Sequence, residues 1–108
     1  MGYQGPTDVA EAAGVSTFNS TTLAYSPEKY PNHQICPDGM AAGVTATITG
    51  KALGEDGFCS LPGGSALANN EAFVLDWGIW EAFVVTYSAG GSATASIISY
   101  YPALSENR

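Results

Sequence analysis

Hydrophobic and polar positions alternate most densely between Glu71 and Tyr101, EAFVLDWGIWEAFVVTYSAGGSATASIISYY. With a period of two, Phe83, Val85 and Tyr87 fall on one face of an extended segment. Trp80, Ala82, Val84 and Thr86 fall on the other, because successive strand side chains point to opposite sides. Both faces are largely apolar, and the β-branched and aromatic content favours a strand over a helix. The glycines of Ser88-Ala89-Gly90-Gly91-Ser92 suit a reversal. Thr94 to Tyr101 then reads as the returning strand, stopped by Pro102, which lacks a backbone donor. The stretch is expected to form a central β-hairpin covered on both faces, by a second sheet or by a neighbouring subunit. Its candidate core or interface residues are Trp77, Trp80, Phe83, Val85, Ile97, Ile98 and Tyr100. Ala72 to Leu75 reads as a separate short strand, with Asp76-Trp77-Gly78 as a turn or bulge.

The same alternation is clear in Val44-Thr45-Ala46-Thr47-Ile48-Thr49, with Val44, Ala46 and Ile48 inward and the threonines outward. Lys51 to Leu53 and Phe58 to Leu61 flank Gly54-Glu55-Asp56-Gly57, a hairpin turn. Pro27, Pro31 and Pro37 each remove a donor and bias the preceding residue to extended geometry, so residues 26–39 are expected to be a long ordered loop. Asp8-Val9-Ala10-Glu11, followed by Gly14, matches a capping box and predicts a short helical turn. The expectation is an all-β, single-domain antiparallel sandwich or small barrel of about six to eight strands. Residues 1–15 form an extended N-terminal arm with that short helix, 16–102 the β-domain and 103–108 a C-terminal tail.

Composition narrows the partners. Only 12% of the 108 residues are charged, about half the usual share, so the surface is short of solubilising charge. That suits a surface covered by partners, and equally a small β-domain with a hydroxyl-rich exterior. The net charge of -7 arises from the scarcity of cations, which are Lys29, Lys51 and Arg108. Phosphate backbones and anionic lipid surfaces both need clustered Lys or Arg, so neither nucleic acid nor a membrane is expected as partner. Met1-Gly2-Tyr3-Gln4-Gly5-Pro6 has no basic or apolar signal region, and no apolar run approaches the ~20 residues of a spanning helix.

The chemistry-bearing residues are few and scattered. Cys36 and Cys59 are a candidate disulfide, worth roughly 3.4 kcal/mol in the chain-entropy account; in a reducing compartment they would instead remain buried thiols. A zinc set of His33, Cys36, Cys59 and Asp56 lacks the paired close spacings of structural sites, so no metal is expected. His33, the one histidine, reads as a surface or packing residue with nothing to pair with it. Adjacent Glu55 and Asp56 suit a solvated turn better than a calcium loop. Glu81 interrupts an apolar strand, and a residue turned to solvent or into a salt bridge explains it better than a catalytic acid. There is no nucleophile elbow, phosphate loop or dinucleotide fingerprint. No catalytic residue and no cofactor are therefore assigned, and the chain is read as not an enzyme.

A compact β-domain with an extended arm, a C-terminal tail and few charges resembles, in general layout and without a shared motif, the small head-decoration or cement proteins of tailed bacteriophages. The resemblance implies a structural protein at the capsid surface of a virion. Its partners would be the capsid protein and copies of itself, often as a trimer, with no cofactor. Two alternatives are a secreted or surface-displayed binding module, with Trp77, Trp80, Tyr100 and Tyr101 as an extracellular carbohydrate platform, and a subunit of a cellular filament or shell.

Overall fold

The protein is described here by a computed structural model covering residues 2–102. Eight strands form two four-stranded antiparallel sheets packed face to face as a sandwich, and the sheets do not close into a barrel. In chain order the strands are β1 Tyr3–Ala10, β2 Val15–Phe18, β3 Asn32–Asp38, β4 Ala46–Ala52, β5 Cys59–Ser60, β6 Phe73–Asp76, β7 Trp80–Tyr87 and β8 Thr94–Tyr100. The first sheet runs β1-β8-β3-β6 and the second β2-β7-β4-β5.

The core follows from the two-residue period. Phe18, Ile35, Ile48, Phe83, Val85 and Ile97 are sealed between the sheets, and each comes from the inward face of its strand. Together such side chains supply the apolar burial that a small domain depends on, at about 1.5–3 kcal/mol each. Of the expected core or interface residues, Phe83, Val85 and Ile97 are fully buried. Trp80 is half-buried and packs against the core. Ile98 and Tyr100 lie half-buried on the outer face of the first sheet, and Trp77 is exposed.

The expected central hairpin is not formed. β7 pairs with β2 and β4, whereas β8 pairs with β1 and β3 in the opposite sheet. The connection is pinned to a different sheet at each end. Thr45 O accepts from the Ser88 N–H at 2.8 Å, and Ala93 O accepts from the Glu11 N–H at 2.9 Å. Each strand is one of the two inner strands of its own sheet, which accounts for the density of apolar residues in both. The outer face of β7 is not fully covered, since Val84 is half-buried and Thr86 exposed.

The expected N-terminal helical turn is replaced by strand. Asp8 sits opposite Ser96 in the β1–β8 ladder, and the Glu11 carboxylate accepts from the Gly91 N–H at 2.9 Å instead of reaching back to Asp8. A long edge strand satisfies more backbone groups than one helical turn, which nucleates poorly. The expected arm is thus an edge of the first sheet. At Gly5, with φ 105°, an added Cβ would lie 2.5 Å from Ile97 O. Only glycine lets β1 cross β8 that closely where the register shifts between Gln4 and Thr7.

The proline-marked loop also contains an inner strand. A single 3-10 turn at Pro27–Lys29 leads into β3, and Pro37 is buried within that strand opposite Ala95. Pro37 O accepts from Asn70 N at 2.7 Å on the side facing away from β8. β6 pairs with β3 only from Asn32 to Ile35, so Pro37 stands beyond its end, where the missing N–H removes no ladder bond. The expected β4 strand and its hairpin into β5 are present, with Thr49 opposite Ser60 and Gly50 opposite Cys59.

Candidate functional site

One end of the sandwich gathers aromatic side chains from three chain segments. β6 stops at Asp76, and the chain turns into β7 through Trp77, Gly78 and Ile79. Trp77 has φ 61°, the left-handed region that bulky residues avoid at a cost of about 1–2 kcal/mol. Its N–H donates to Oδ1 of Asn32, at 3.1 Å. Asn32 is buried at the start of β3, between Asp76 and Tyr100 in the ladder. That anchored amide holds the Trp77 backbone while the residue stays 68% exposed. Gly78 follows with φ 146°, and a Cβ there would meet Trp80 Nε1 at 2.5 Å. Trp80 also packs over Gly50, where a Cβ would lie 2.9 Å from its ring.

The facing wall comes from the segment after the 3-10 turn and from the end of β8. Tyr30 and Tyr101 pack with their rings tilted by 52° and centroids 5.1 Å apart, and Tyr25 meets Tyr30 edge-on at 5.7 Å. The Tyr101 N–H donates to Gly2 O at 2.8 Å, fixing the end of β8 to the chain start. Between the walls lies an open groove of about 820 Å³, lined chiefly by Tyr30, Pro31, Trp77, Ile79, Tyr101 and Pro102. Glu28 and Lys29 are the charged residues on its wall. Leu53, half exposed, adjoins this end, because its N–H donates to Ile79 O at 3.0 Å.

Behind the groove a polar chain is sealed into the core. Ser99 Oγ lies 2.9 Å from the Tyr25 hydroxyl and 2.8 Å from His33 Nδ1. Ser99 and His33 are opposite one another in the β3–β8 ladder, and both are inaccessible to solvent. The His33 ring packs edge-on against Phe83 at 4.8 Å. Burial pushes its pKa down to about 4, against an opposing pull from the Tyr30 backbone. Nε2 is buried without a hydrogen bond. Burial likewise raises the Tyr25 phenol, and its bond to Ser99 offsets part of that. His33 is therefore a packing residue, but it is paired, contrary to the expectation that nothing faces it. A buried Ser–His contact has the composition of half a hydrolytic site. Here it links the neighbouring strands β3 and β8 of one sheet and, through the Tyr25 hydroxyl, the segment before β3, and solvent does not reach the Ser99 and His33 side chains.

The remaining sequence candidates are not drawn together. Of the expected aromatic platform only Trp77 and Tyr101 share the groove. Trp80 is turned inward, and Tyr100 lies on the outer sheet face, where burial and then Asp76 raise its pKa. Cys36 and Cys59 are free thiols in different sheets, on β3 and β5, so the candidate disulfide is not formed. The weighed zinc set is dispersed as well. His33 faces the core, Cys36 the outer face of the same strand, and Asp56 and Cys59 lie in or beside the β4–β5 hairpin. Glu81 forms a salt bridge with Lys51 at 3.1 Å. Tyr30, Ile79, Tyr25 and Ser99 are the residues that sequence reasoning missed as members of this end.

What fold and site define is a β-sandwich with an open aromatic groove at one end. No family model, curated protein or solved structure matches the chain.

Proposed function

We propose that the chain is a non-enzymatic structural protein that joins a protein shell through subunit contacts, most specifically as a capsid decoration or cement protein on a virion. The supporting observation is the apolar end of the sandwich. Trp77, Ile79 and Tyr101 are 68%, 58% and 53% exposed, and Leu53 adjoins them. Exposed apolar surface gathered in one place marks interaction sites more often than chance scatter does, and a chain with only 12% charged residues suits a surface covered by partners. Partners would be the shell protein and further copies of this chain. A filament or cellular shell subunit would use the same surface.

Light scattering on the purified chain, with and without reductant, tests this reading. The expected result is a closed oligomer, such as a trimer, whose mass is the same in both conditions because the thiols are unpaired. Ile79→Asp should reduce it to a folded monomer. A monomer at every accessible concentration, unaffected by Ile79→Asp, would remove self-association from the reading. It would favour the alternative of an extracellular carbohydrate- or adhesin-type binding module, which the shared groove of Trp77 and Tyr101 supports.

A further inference from the structure

We infer that a small cleft at the end of the sandwich opposite the aromatic groove receives a lysine side chain of a partner protein, with its ammonium on the Glu11 carboxylate. The inference rests on the reading of the chain as a subunit that contacts other proteins, and it adds a contact on a different surface.

The cleft lies where β1 ends and β8 begins. β1 starts next to Gly2, at the groove, and stops at Ala10, while β8 runs back from Thr94 to Tyr100, next to Tyr101 in the groove wall. The seven residues of β8 span about 20 Å, so the two ends are separate surfaces. Glu11, Met40, Val44, Ala89, Gly90 and Ser92 line much of a hollow of about 170 Å³. Glu11 is the one charged side chain among the described residues of that lining, so no cation beside it offsets its charge.

Glu11 is held in place but short of donors. An ionised carboxylate can accept about four hydrogen bonds. The Gly91 N–H donates to Oε2 at 2.9 Å, and Oε1 is buried without a partner. The Tyr87 phenol lies within reach of this charge, but its proton is engaged elsewhere. Ser16 Oγ donates to Val9 O at 2.9 Å, so in its 2.8 Å contact with the Tyr87 hydroxyl it accepts. Of the described lysines, Lys51 is bridged to Glu81 and Lys29 stands at the groove end. Neither supplies the missing donor, and a buried acceptor left without one destabilises the free protein.

Size and shape select the occupant. At about 30 Å³ per water molecule, 170 Å³ accommodates one side chain. It falls short of the roughly 300–1,000 Å³ of small-molecule clefts. Lysine combines an apolar stem with a compact ammonium. The stem would lie along Met40, Val44 and Ala89, and the head would meet the carboxylate, whose terminal torsion is soft. Arginine fits less well, because its planar fork pairs best with two free carboxylate oxygens, and Gly91 already engages Oε2.

The test is titration of the full chain with Nα-acetyl-lysine amide, followed by the backbone amide resonances of Ala89 and Gly91. The comparison probes are its Nε-acetylated form and Nα-acetyl-arginine amide. The expected result is saturable binding of the lysine amide, with both other probes weaker by about tenfold or more. Glu11→Gln keeps an acceptor for the Gly91 N–H and should weaken lysine binding about tenfold or more. Glu55→Gln removes the same charge from an exposed turn and should leave binding unchanged. Ala89→Phe, at an exposed position of the lining, should narrow the cleft and weaken binding with the carboxylate intact. Circular dichroism checks that each variant stays folded, and Ala89→Phe decides if Glu11→Gln does not fold. The inference is overturned by no saturable binding, by equal binding of either comparison probe, by binding unchanged in the folded cleft variants, or by equal weakening in Glu55→Gln. If the lysine amide fails while Ile79→Asp still dissociates an oligomer, the inference falls and the assembly reading stands. If it binds a chain that is monomeric throughout, the cleft assignment stands and self-assembly falls.

Discussion

Acidification should destabilise this sandwich through one identifiable group. His33 is sealed between β3, β8 and the Phe83 ring, with Nδ1 on Ser99 and Nε2 without a partner. The fold therefore holds the ring neutral, with a pKa of about 4, whereas the unfolded chain protonates near 6.5. Between those values the unfolded state binds more protons. Stability is thus intact above the unfolded value and falls as pH drops toward 4. The full difference corresponds to about 3 kcal/mol, of which about 2 kcal/mol is already lost at pH 5. That is a large fraction of the total for a small domain. Urea unfolding at pH 7 and pH 5 measures it, with His33→Asn as the reference, because asparagine retains a polar group near Ser99 but does not titrate. The wild type should lose about 2 kcal/mol more than the variant between the two conditions, whatever the variant costs outright. Equal losses, or a folded-state titration of the ring near its ordinary value, would refute the burial argument.

Three further outcomes follow from single contacts. Ser99→Ala leaves the Tyr25 hydroxyl and His33 Nδ1 without their shared partner and should cost about 1–3 kcal/mol in denaturant unfolding. Gly50→Ala would push a Cβ to 2.9 Å from the Trp80 ring and 3.3 Å from Leu61. It should destabilise by about 1–3 kcal/mol with a shift in Trp80 emission, and an unperturbed emission would mean that Trp80 is not wedged there. Trp77→Gly should stabilise the fold by up to about 1 kcal/mol, because it relieves the left-handed strain of a mostly exposed residue. The same variant should weaken the self-association expected of this surface, read by light scattering.

The period-two pattern made the strands legible but not their partners. Phe83, Val85 and Ile97 were legible as candidates for burial, but so were Trp80 and Ile98, because both faces of β7 and β8 are largely apolar and alternation alone does not choose between them. The inward face of β4 was readable from the alternation of Val44 to Thr49, with Ala46 and Ile48 buried as expected. Which strands pair was not, because a glycine-rich link such as Ser88-Ala89-Gly90-Gly91-Ser92 serves a hairpin and a crossing between sheets equally well. The N-terminus misled for a related reason. Asp8 and Glu11 have the spacing of a helix cap, but the donors they would satisfy are taken over by β8 and the β7–β8 link, which are remote in sequence. Pro37 misled because its cost depends on whether a neighbour stands on its N–H side, and β6 ends before reaching it.

The candidate site was less legible than the fold, and Trp77 shows why. By pattern alone an isolated tryptophan beside an apolar strand belongs in a core, and burying it would gain free energy. The structure instead keeps it in a backbone conformation that costs stability, pinned by an amide far away in the sequence, with most of the residue in solvent. No local rule predicts that combination, because the left-handed backbone and the exposed side chain are each unfavourable taken singly and the hydrogen bond that holds them comes from a residue remote in sequence. Where a small domain departs from local preference without a packing gain, the compensation is expected to lie in function. The strain at Trp77 and the groove in front of it are therefore two aspects of one feature. Glycine at this position should give a more stable protein that no longer binds, whereas a purely structural Trp77 would lose stability and function together.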